Sequence, residues 1–503
     1  MLNSVKFNDV KERVMADVVI AGAGPTGLML GCELALAGVE VLILERRTGP
    51  TGESRAGGLH ARTLEVLDQR GMVEPFLAEG RPLSAGHFSG LPLRLHDLPT
   101  RYPYLLVLLQ SHVERLLAEQ ASALGVAIRR DAEVTDLRQD TDGVTVTLAD
   151  GGTVRGRYLV GCDGGRSVVR HRAGIGYPGT DATLTSLLGD VELADPPAGN
   201  VFQQRTARGD YSVLGFEAGW YRVMTTRTGV LPQDGPVTLD RLRSSLIEIA
   251  GRDFGLHSPR WLSRYGDTAR QADRYRQGRV LLAGDAAHIH YPAGGQGLNT
   301  GVQDAINLGW KIAAVLRGDA DDTLLDTYHD ERHPVGARVL DNTRAQVALG
   351  GYDAQTEALR STMAGLIEQP AVNDQLAGMV TALDVTYPLG GGHPLVGRRL
   401  PDIDLPDGRR AYQLLHPARP VLLDLGATPV AVPRDRAGAI DHVLAHGTAA
   451  TWRVPVLGTV PAPAAALVRP DGHIAWATAV EGDTTGLDTA LSTWVRRARV
   501  PAG

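Results

Sequence analysis

Asp17-Val18-Val19-Ile20-Ala21-Gly22-Ala23-Gly24-Pro25-Thr26-Gly27, an apolar stretch to Leu36, Gly38, and the run Val41-Leu42-Ile43-Leu44-Glu45 decide the fold. Their order predicts strand, Gly-rich turn, helix and second strand, a complete βαβ unit. Gly22 permits the tight turn, Gly24 lets the backbone approach a pyrophosphate, and Gly27 allows the helix to pack closely. Pro25 and Thr26 open that helix, whose N-terminus attracts phosphate charge. Glu45 closes the second strand, where a carboxylate accepts hydrogen bonds from ribose hydroxyls. A lone Gly-rich turn would carry little weight; both strands and the acid make this a dinucleotide site.

The fingerprint alone does not separate NAD from FAD, and two later segments do. Tyr158-Leu159-Val160-Gly161-Cys162-Asp163-Gly164 is an apolar strand running into Asp-Gly. Arg279-Val280-Leu281-Leu282-Ala283-Gly284-Asp285 is a second buried strand ending in Gly-Asp. Each taken singly reads equally well as a turn with a helix cap. As an ordered set they place carboxylates at strand C-termini, where an α/β sheet binds ligands, and Asp285 is suited to polyol hydroxyls.

Pro292-Ala293-Gly294-Gly295-Gln296-Gly297-Leu298-Asn299 follows, then a helix with Val302, Ile306, Gly309 and Ala313 on one period. Such a loop offers free backbone N–H groups at the positive end of a helix dipole. Set against the pyrimidine end of a flavin, it would stabilise an anionic reduced ring. Ser111-His112-Val113-Glu114 reads as a capping box opening another helix, which leaves Gln110 just before the helix start with its amide free for a ligand or for solvent.

Composition bounds the remaining possibilities. The 503 residues exceed one ordinary core and predict two to four domains. Glycine, at 60 residues, is about 12% of the chain against a usual value of about 7%. A net charge of −6 without a basic run argues against nucleic acid. Lysine occurs only at Lys6, Lys11 and Lys311, an arginine bias that reflects genome composition more than function. Two cysteines, Cys32 and Cys162, cannot build a disulfide framework or a cysteine metal site. His288 and His290 lack further ligands, so no metal is expected. The N-terminal segment lacks an apolar signal core and no apolar run spans a bilayer, so a cytoplasmic protein without a membrane partner is expected.

These segments, in this order, resemble the FAD-dependent aromatic hydroxylases, single-component flavoprotein monooxygenases, and within them the branch of polyketide hydroxylases and rifampicin monooxygenase. The likeness runs from Ala16 to about Trp494. It implies that Gly22, Gly24, Gly27 and Glu45 bind ADP, with Arg46 at the adenine side. Arg55 and Gln110 match positions near the flavin ring and ribityl chain, and Asp163 and Gly164 match a motif assigned to both FAD and nicotinamide binding. Asp285 matches the ribityl-binding aspartate, and Pro292, Gly295, Gly297, Leu298 and Asn299 match the loop facing the isoalloxazine. Arg55 and Pro292 stand nearest the chemistry. The loop sequence His290-Tyr291-Pro292-Ala293 and the segment 180–220 depart from the branch.

Short alternating segments such as Tyr211-Ser212-Val213-Leu214-Gly215-Phe216 and Trp220-Tyr221-Arg222-Val223-Met224 predict an antiparallel sheet, with a helix near residues 239–249. A sheet laid over the flavin would wall an aromatic substrate, with Phe202, Phe216, Trp220 and Tyr221 as candidate contacts and core packing as their alternative role. Pro420-Val421-Leu422-Leu423-Asp424-Leu425 is a buried strand, and a hairpin turns at Pro470-Asp471-Gly472. This end resembles the thioredoxin-like domain of the family, without cysteine. The expected architecture is α/β: a Rossmann-like FAD-binding domain in two parts (1–176, and 275–387 with helical segments), an inserted antiparallel-sheet substrate domain (177–274), a linker (388–408) and a thioredoxin-like domain (409–503).

The resemblance implies a monooxygenase in which NADPH or NADH reduces FAD, O2 forms a flavin C4a-hydroperoxide, and an aromatic polyketide-type small molecule is hydroxylated. Its alternatives are inactivation of a rifamycin- or tetracycline-type antibiotic, Baeyer–Villiger oxygen insertion, and non-catalytic antibiotic binding by an FAD protein. A flavin halogenase would carry W-x-W-x-I-P, yet the six tryptophans never fall two apart. A disulfide reductase would need C-x-x-C. The chain could act alone or as a homodimer.

Overall fold

The structure is a computed structural model that describes residues 14–50, 52, 54–199, 201–231 and 235–495. The N-terminal residues before 14, read above for targeting signals, lie outside the described residues. Strand Val14–Ala21 occupies the middle of a parallel sheet, with Val41–Leu44 on one side and Thr153–Gly161 on the other. Ala127–Arg129 and Val280–Leu282 extend the flanks. Val18, Val19 and Ile20 are buried on both faces, which explains why the strand reads as an uninterrupted apolar run. Because chain order reverses around Val14–Ala21, the crevice at its C-terminal end is where such a sheet binds ligands.

Helix Pro25–Leu36 is apolar nearly all round because it is covered twice, by the sheet and by the 21-residue helix Gln296–Leu316. The two helices approach closely at Gly309, where a Cβ would stand 2.6 Å from that of Glu33. Between Thr153–Gly161 and Val280–Leu282 the chain leaves to form a five-stranded antiparallel sheet, in the order Val201–Thr206, Gly209–Glu217, Trp220–Thr228, Leu184–Leu193, Leu256–Gly266. Helix Leu239–Ala250 covers one face of it. Helices Asp326–Ala348, Ala354–Ile367 and Pro370–Thr381 follow helix Gln296–Leu316. The C-terminal unit has a four-stranded sheet with Val421–Asp424 parallel to Asp441–Leu444 and antiparallel to Ala465–Val468, which pairs with Ile474–Thr478. None of the described helices is long and apolar enough to cross a membrane.

Two local expectations change. The helix expected to open at Ser111 begins one residue earlier, as Gln110–Ala123 with Leu109 at its cap and no side-chain cap. The Gln110 N–H donates to the Ala56 carbonyl (3.0 Å), which draws Gln110 into the first turn, and Glu114 accepts from the Gln110 side chain instead of closing a box. The Gly/Pro-rich run 388–408 is not a free linker in packing terms. Leu395 and Leu400 are buried in the C-terminal core, and the Gly397 and Leu400 N–H groups donate to the Ile474 and Gly472 carbonyls.

The C-terminal unit is joined to the domain built on the parallel sheet by buried charge. The turn at Asp471 lies against helices Gln296–Leu316 and Asp326–Ala348, where Arg469 makes a two-pronged ion pair with Glu331 (2.7 and 2.7 Å) and also binds Asp471. Lys311 binds Glu331 at 3.0 Å, and the Arg62 guanidinium donates to the Asp471 carbonyl at 3.0 Å. Nearby, Arg70 is fully buried against Glu33 (2.7 Å) and donates to the Leu415 and Pro470 carbonyls. Burial would raise the carboxyls of Glu331 and Asp471; Arg469 outweighs it, helped by Lys311 and His473 respectively, and both groups stay below the ordinary carboxylate range. Removing one partner strands the others. Arg469→Met is therefore expected to lower unfolding free energy by about 3–5 kcal/mol, read by urea denaturation at pH 7. A depressed carboxylate stabilises the fold fully above its unfolded value of about 4, so wild-type stability is expected to fall as pH drops from there toward about 2.

Candidate active site

The site begins where the Gly22–Gly27 turn meets the rest of the sheet. Gly22 has φ +103°, and a Cβ there would lie 2.4 Å from the Cys162 carbonyl oxygen; a Cβ on Gly27 would lie 2.0 Å from the Gly22 carbonyl oxygen. Gly24 has nothing within 4 Å of a Cβ position. The turn is thus closed by protein at Gly22 and Gly27 and open to a ligand at Gly24. Helix Pro25–Leu36 has no side-chain cap and no acid in its first turn, so its positive end faces that opening without a capping side chain.

Glu45 is held at the strand end by the Ala23 N–H (2.8 Å) and the Arg47 N–H (3.0 Å). A cavity of about 560 Å³ opens beside it, lined among others by Gly24, Glu45, Arg47, Glu114 and Arg130. Arg46, the neighbour singled out from the sequence, is exposed and does not line it. Burial raises the Glu114 carboxyl, offset by the Gln110 amide and Arg47. Gln110 accepts the Ala56 N–H (3.2 Å) and so fixes the loop bearing Arg55, whose side chain is exposed. Asp163 turns back on its own chain: it accepts the Ser167 hydroxyl (2.5 Å) and the Val169 N–H (3.1 Å), anchoring helix Val168–Arg172, while Gly164 sits at φ +82°.

Asp285 differs. It lies on the short 3-10 turn Gly284–Ala286, is exposed by area, and makes no side-chain hydrogen bond among the described residues. Desolvation nonetheless raises its carboxyl, against the pull of His288 and Arg55. Exposure combined with desolvation marks a group inside a cleft. What positions it is Asp304, a residue the sequence reading did not single out. The buried Asp304 carboxylate accepts the Gly284 N–H (3.0 Å), faces the His288 Nε2 (2.7 Å) and accepts the Arg332 Nε–H (2.7 Å). His288 is thereby accounted for structurally, and no group of three potential metal ligands occurs among the described residues.

The loop after His290 completes the cleft. Gly294 and Gly295 take φ +69° and +68°, and Gly295 precedes helix Gln296–Leu316, again without a side-chain cap. Asn299 is used inside the protein: its amide donates to the Gly295 and Gly58 carbonyls and its oxygen accepts the His60 N–H (2.8 Å). The His60 Nε2 contacts the Gly294 carbonyl at 2.6 Å, and burial lowers its imidazole to about 4, so the ring is neutral. Pro292 and Gly295 are exposed to the cleft, with Gly297 and Leu298 half-buried at its edge.

The five-stranded sheet faces this loop. Ser186, on Leu184–Leu193, meets the Tyr291 hydroxyl at 3.3 Å and Thr226 Oγ1 at 2.8 Å, and the Tyr265 and Tyr291 rings lie 5.7 Å apart. Arg222 donates to the Arg55 carbonyl (3.3 Å) and is neutralised by a buried two-pronged pair with Asp190 (2.8 and 2.9 Å). Phe216 and Trp261 flank Arg222 on this side. Phe202 and Tyr221 have the opposite parity and pack into the helix-covered core, Phe202 against Tyr211 at 5.7 Å. Trp220 sits at the hairpin end beneath Arg260 (3.6 Å).

An open glycine facing an uncapped helix, a cavity beside Glu45, an unpartnered Asp285 and a second uncapped helix end fit FAD along one crevice. The comparisons agree. Residues 15–343 match the FAD binding domain family and 393–498 the aromatic-ring hydroxylase C-terminal family. The chain belongs to the FAD-dependent aromatic-ring hydroxylases. It is 48% identical over 470 residues to rifampicin monooxygenase from Streptomyces venezuelae, covering 92% of this chain and 96% of that protein. It is 47% identical over 502 residues to 12-dehydrotetracycline 5-monooxygenase/anhydrotetracycline 6-monooxygenase from Streptomyces rimosus, covering 95% and 98%. The solved anhydrotetracycline hydroxylase of Streptomyces rimosus superposes with a TM-score of 0.87 at 46% identity, covering 96% of this chain and 99% of that one.

Three glycine and acid variants separate folding from cofactor binding. Gly24→Ala is expected to keep the melting temperature of the apoprotein and weaken FAD binding at least about tenfold, since only the ligand meets the new methyl. Asp285→Ala is expected to do the same. Gly27→Ala is expected to destabilise the apoprotein itself. Calorimetry of apoprotein with FAD titration reads all three.

Proposed function

We propose that this FAD-dependent enzyme is an NAD(P)H-dependent monooxygenase that hydroxylates a polycyclic aromatic, polyketide-type substrate. Bound FAD supplies electron acceptance from the nicotinamide and oxygen transfer from O2. The chain supplies the rest. Glu45 and Asp285 hold polyol hydroxyls, the N-termini of helices Pro25–Leu36 and Gln296–Leu316 place positive potential on the phosphate and ring ends, and the antiparallel sheet excludes water above the loop. The observation that supports this substrate class best is the cluster of Tyr265, Tyr291 and Thr226 beside Pro292, held together by the buried Ser186, with Arg222 already neutralised by Asp190. Such a cluster suits a flat, uncharged, oxygenated ring system better than a carboxylate.

The 48% identity to a rifampicin monooxygenase favours a second reading, in which the substrate is an antibiotic and oxidation inactivates it. One experiment separates the readings. Purified protein is expected to carry the flavin spectrum and to oxidise NADPH faster in the presence of one member of a panel of anthraquinones, angucyclines, tetracyclines and rifamycins. Product NMR then distinguishes a new hydroxyl from an oxygen inserted into a ring. Binding of a panel member without any stimulation of NADPH oxidation would favour sequestration and defeat the proposal.

A further inference from the structure

Hairpin Ala85–Phe88/Leu91–Arg94 has no part in the cofactor contacts above, yet it lies beside the turn Ala293–Gly295 that borders the cleft. Its strand alternates. Phe88 is buried in the main core and Gly86 lies against Leu95, so Ala85 and His87 project from the other side, and both are exposed. The strand Ala85–Phe88 runs beside the turn Ala293–Gly295 of the flavin loop, and His87 is close enough to His60 to help lower the His60 imidazole. At its tip, Gly90 reaches the substrate sheet, with a Cβ position 3.4 Å from the Gln203 Nε2. The hairpin thus spans from the flavin loop to the sheet edge.

The tip is held rigidly. Ser89 is a non-glycine residue at φ +52°, a conformation that persists only when the surroundings enforce it. Its N–H donates to the Gln346 Oε1 (2.9 Å), its hydroxyl to the Gln346 carbonyl (2.7 Å), and its carbonyl accepts from Arg360 (2.9 Å). This geometry also fixes the histidine tautomer. The Gly90 N–H donates to the His87 Nδ1 (3.3 Å), which puts the ring proton on Nε2. Desolvation lowers the imidazole, so the ring is neutral.

We propose that His87 is a specificity-determining residue whose Nε2–H donates a hydrogen bond to a ring oxygen of the substrate, at the hairpin side of the cleft opposite the hydroxyl-bearing sheet. This rests on the reading of the cleft as an aromatic site. It narrows the substrate to polycycles with an acceptor oxygen, such as a quinone carbonyl or phenol, on that edge.

Holoenzyme, wild type and His87→Phe and His87→Gln, is titrated with 1,8-dihydroxyanthraquinone and with oxygen-free anthracene, followed by flavin fluorescence, with flavin content and melting temperature as fold controls. His87→Phe is expected to weaken the hydroxyanthraquinone about tenfold and anthracene less than about twofold; His87→Gln, which keeps a donor, is expected to recover to within about threefold of wild type. Equal weakening of both probes, or of neither, overturns the assignment of His87 alone. Failure of wild-type holoenzyme to bind either probe or any of the polycycle panel overturns the aromatic reading of the cleft, and the assignment with it.

Discussion

The buried carboxylate of Asp304 is the constraint on which the site depends. It accepts the Gly284 N–H and is clamped by His288 and Arg332, and Arg332 in turn donates to the Thr300 carbonyl and the Tyr387 hydroxyl. Helix Gln296–Leu316, the Gly-Asp turn and helix Asp326–Ala348 therefore meet at one atom group. A buried charge is tolerated only when it is fully paired, and this one is. With Gly284 held, Asp285 is thrust into the cleft without a partner of its own. Thr26 wedges between Gly284 and Gly301, where neither could carry a Cβ, so the fingerprint turn and the Gly-Asp turn share one crevice.

The same logic joins the C-terminal unit to the rest. A hairpin turn that reads as a surface feature, Pro470-Asp471-Gly472, is buried against Gln69, Arg62 and Asn307. Its charges are satisfied by residues of the FAD domain, and those of the FAD domain by it. The domain lacks redox cysteines, and its contribution is to complete a buried polar network that neither part could complete alone. The cleft itself shows the opposite electrostatic choice. Arg222 is spent on Asp190 and on the Arg55 carbonyl, His60 and His87 are neutral, and hydroxyls and aromatic rings make the remaining wall.

Much of the cofactor site was legible because its parts are local. Gly22, Gly24, Gly27 and Glu45 sit within one βαβ unit, where spacing alone sets which backbone is packed against protein and which is left open. Roles that depend on a distant partner were not legible. Arg47, and not Arg46, lines the cavity beside Glu45, because the chain turns after the strand ends at Leu44 and only that turn decides which arginine borders it. Asn299 was read as part of the loop facing the ring, and what the sequence did not show is that its amide ties that loop to Gly58 and His60, 241 and 239 residues away. Asp304 gave no signal at all: one acid inside an amphipathic helix looks like any other.

By itself the sequence determined the fold class, the dinucleotide chemistry and the presence of an inserted sheet, because hydrophobic period and glycine placement are properties of short segments. Only the tertiary structure decided which face of that sheet meets the flavin loop. Alternation divides Phe202 and Tyr221 from Arg222 and Tyr265, but it does not say which set is covered by helix Leu239–Ala250. That choice follows from where the helix docks, and it leaves Ser186, Thr226 and Tyr265 on the face that meets Tyr291 of the loop, side chains far apart in the chain that come together only in the fold.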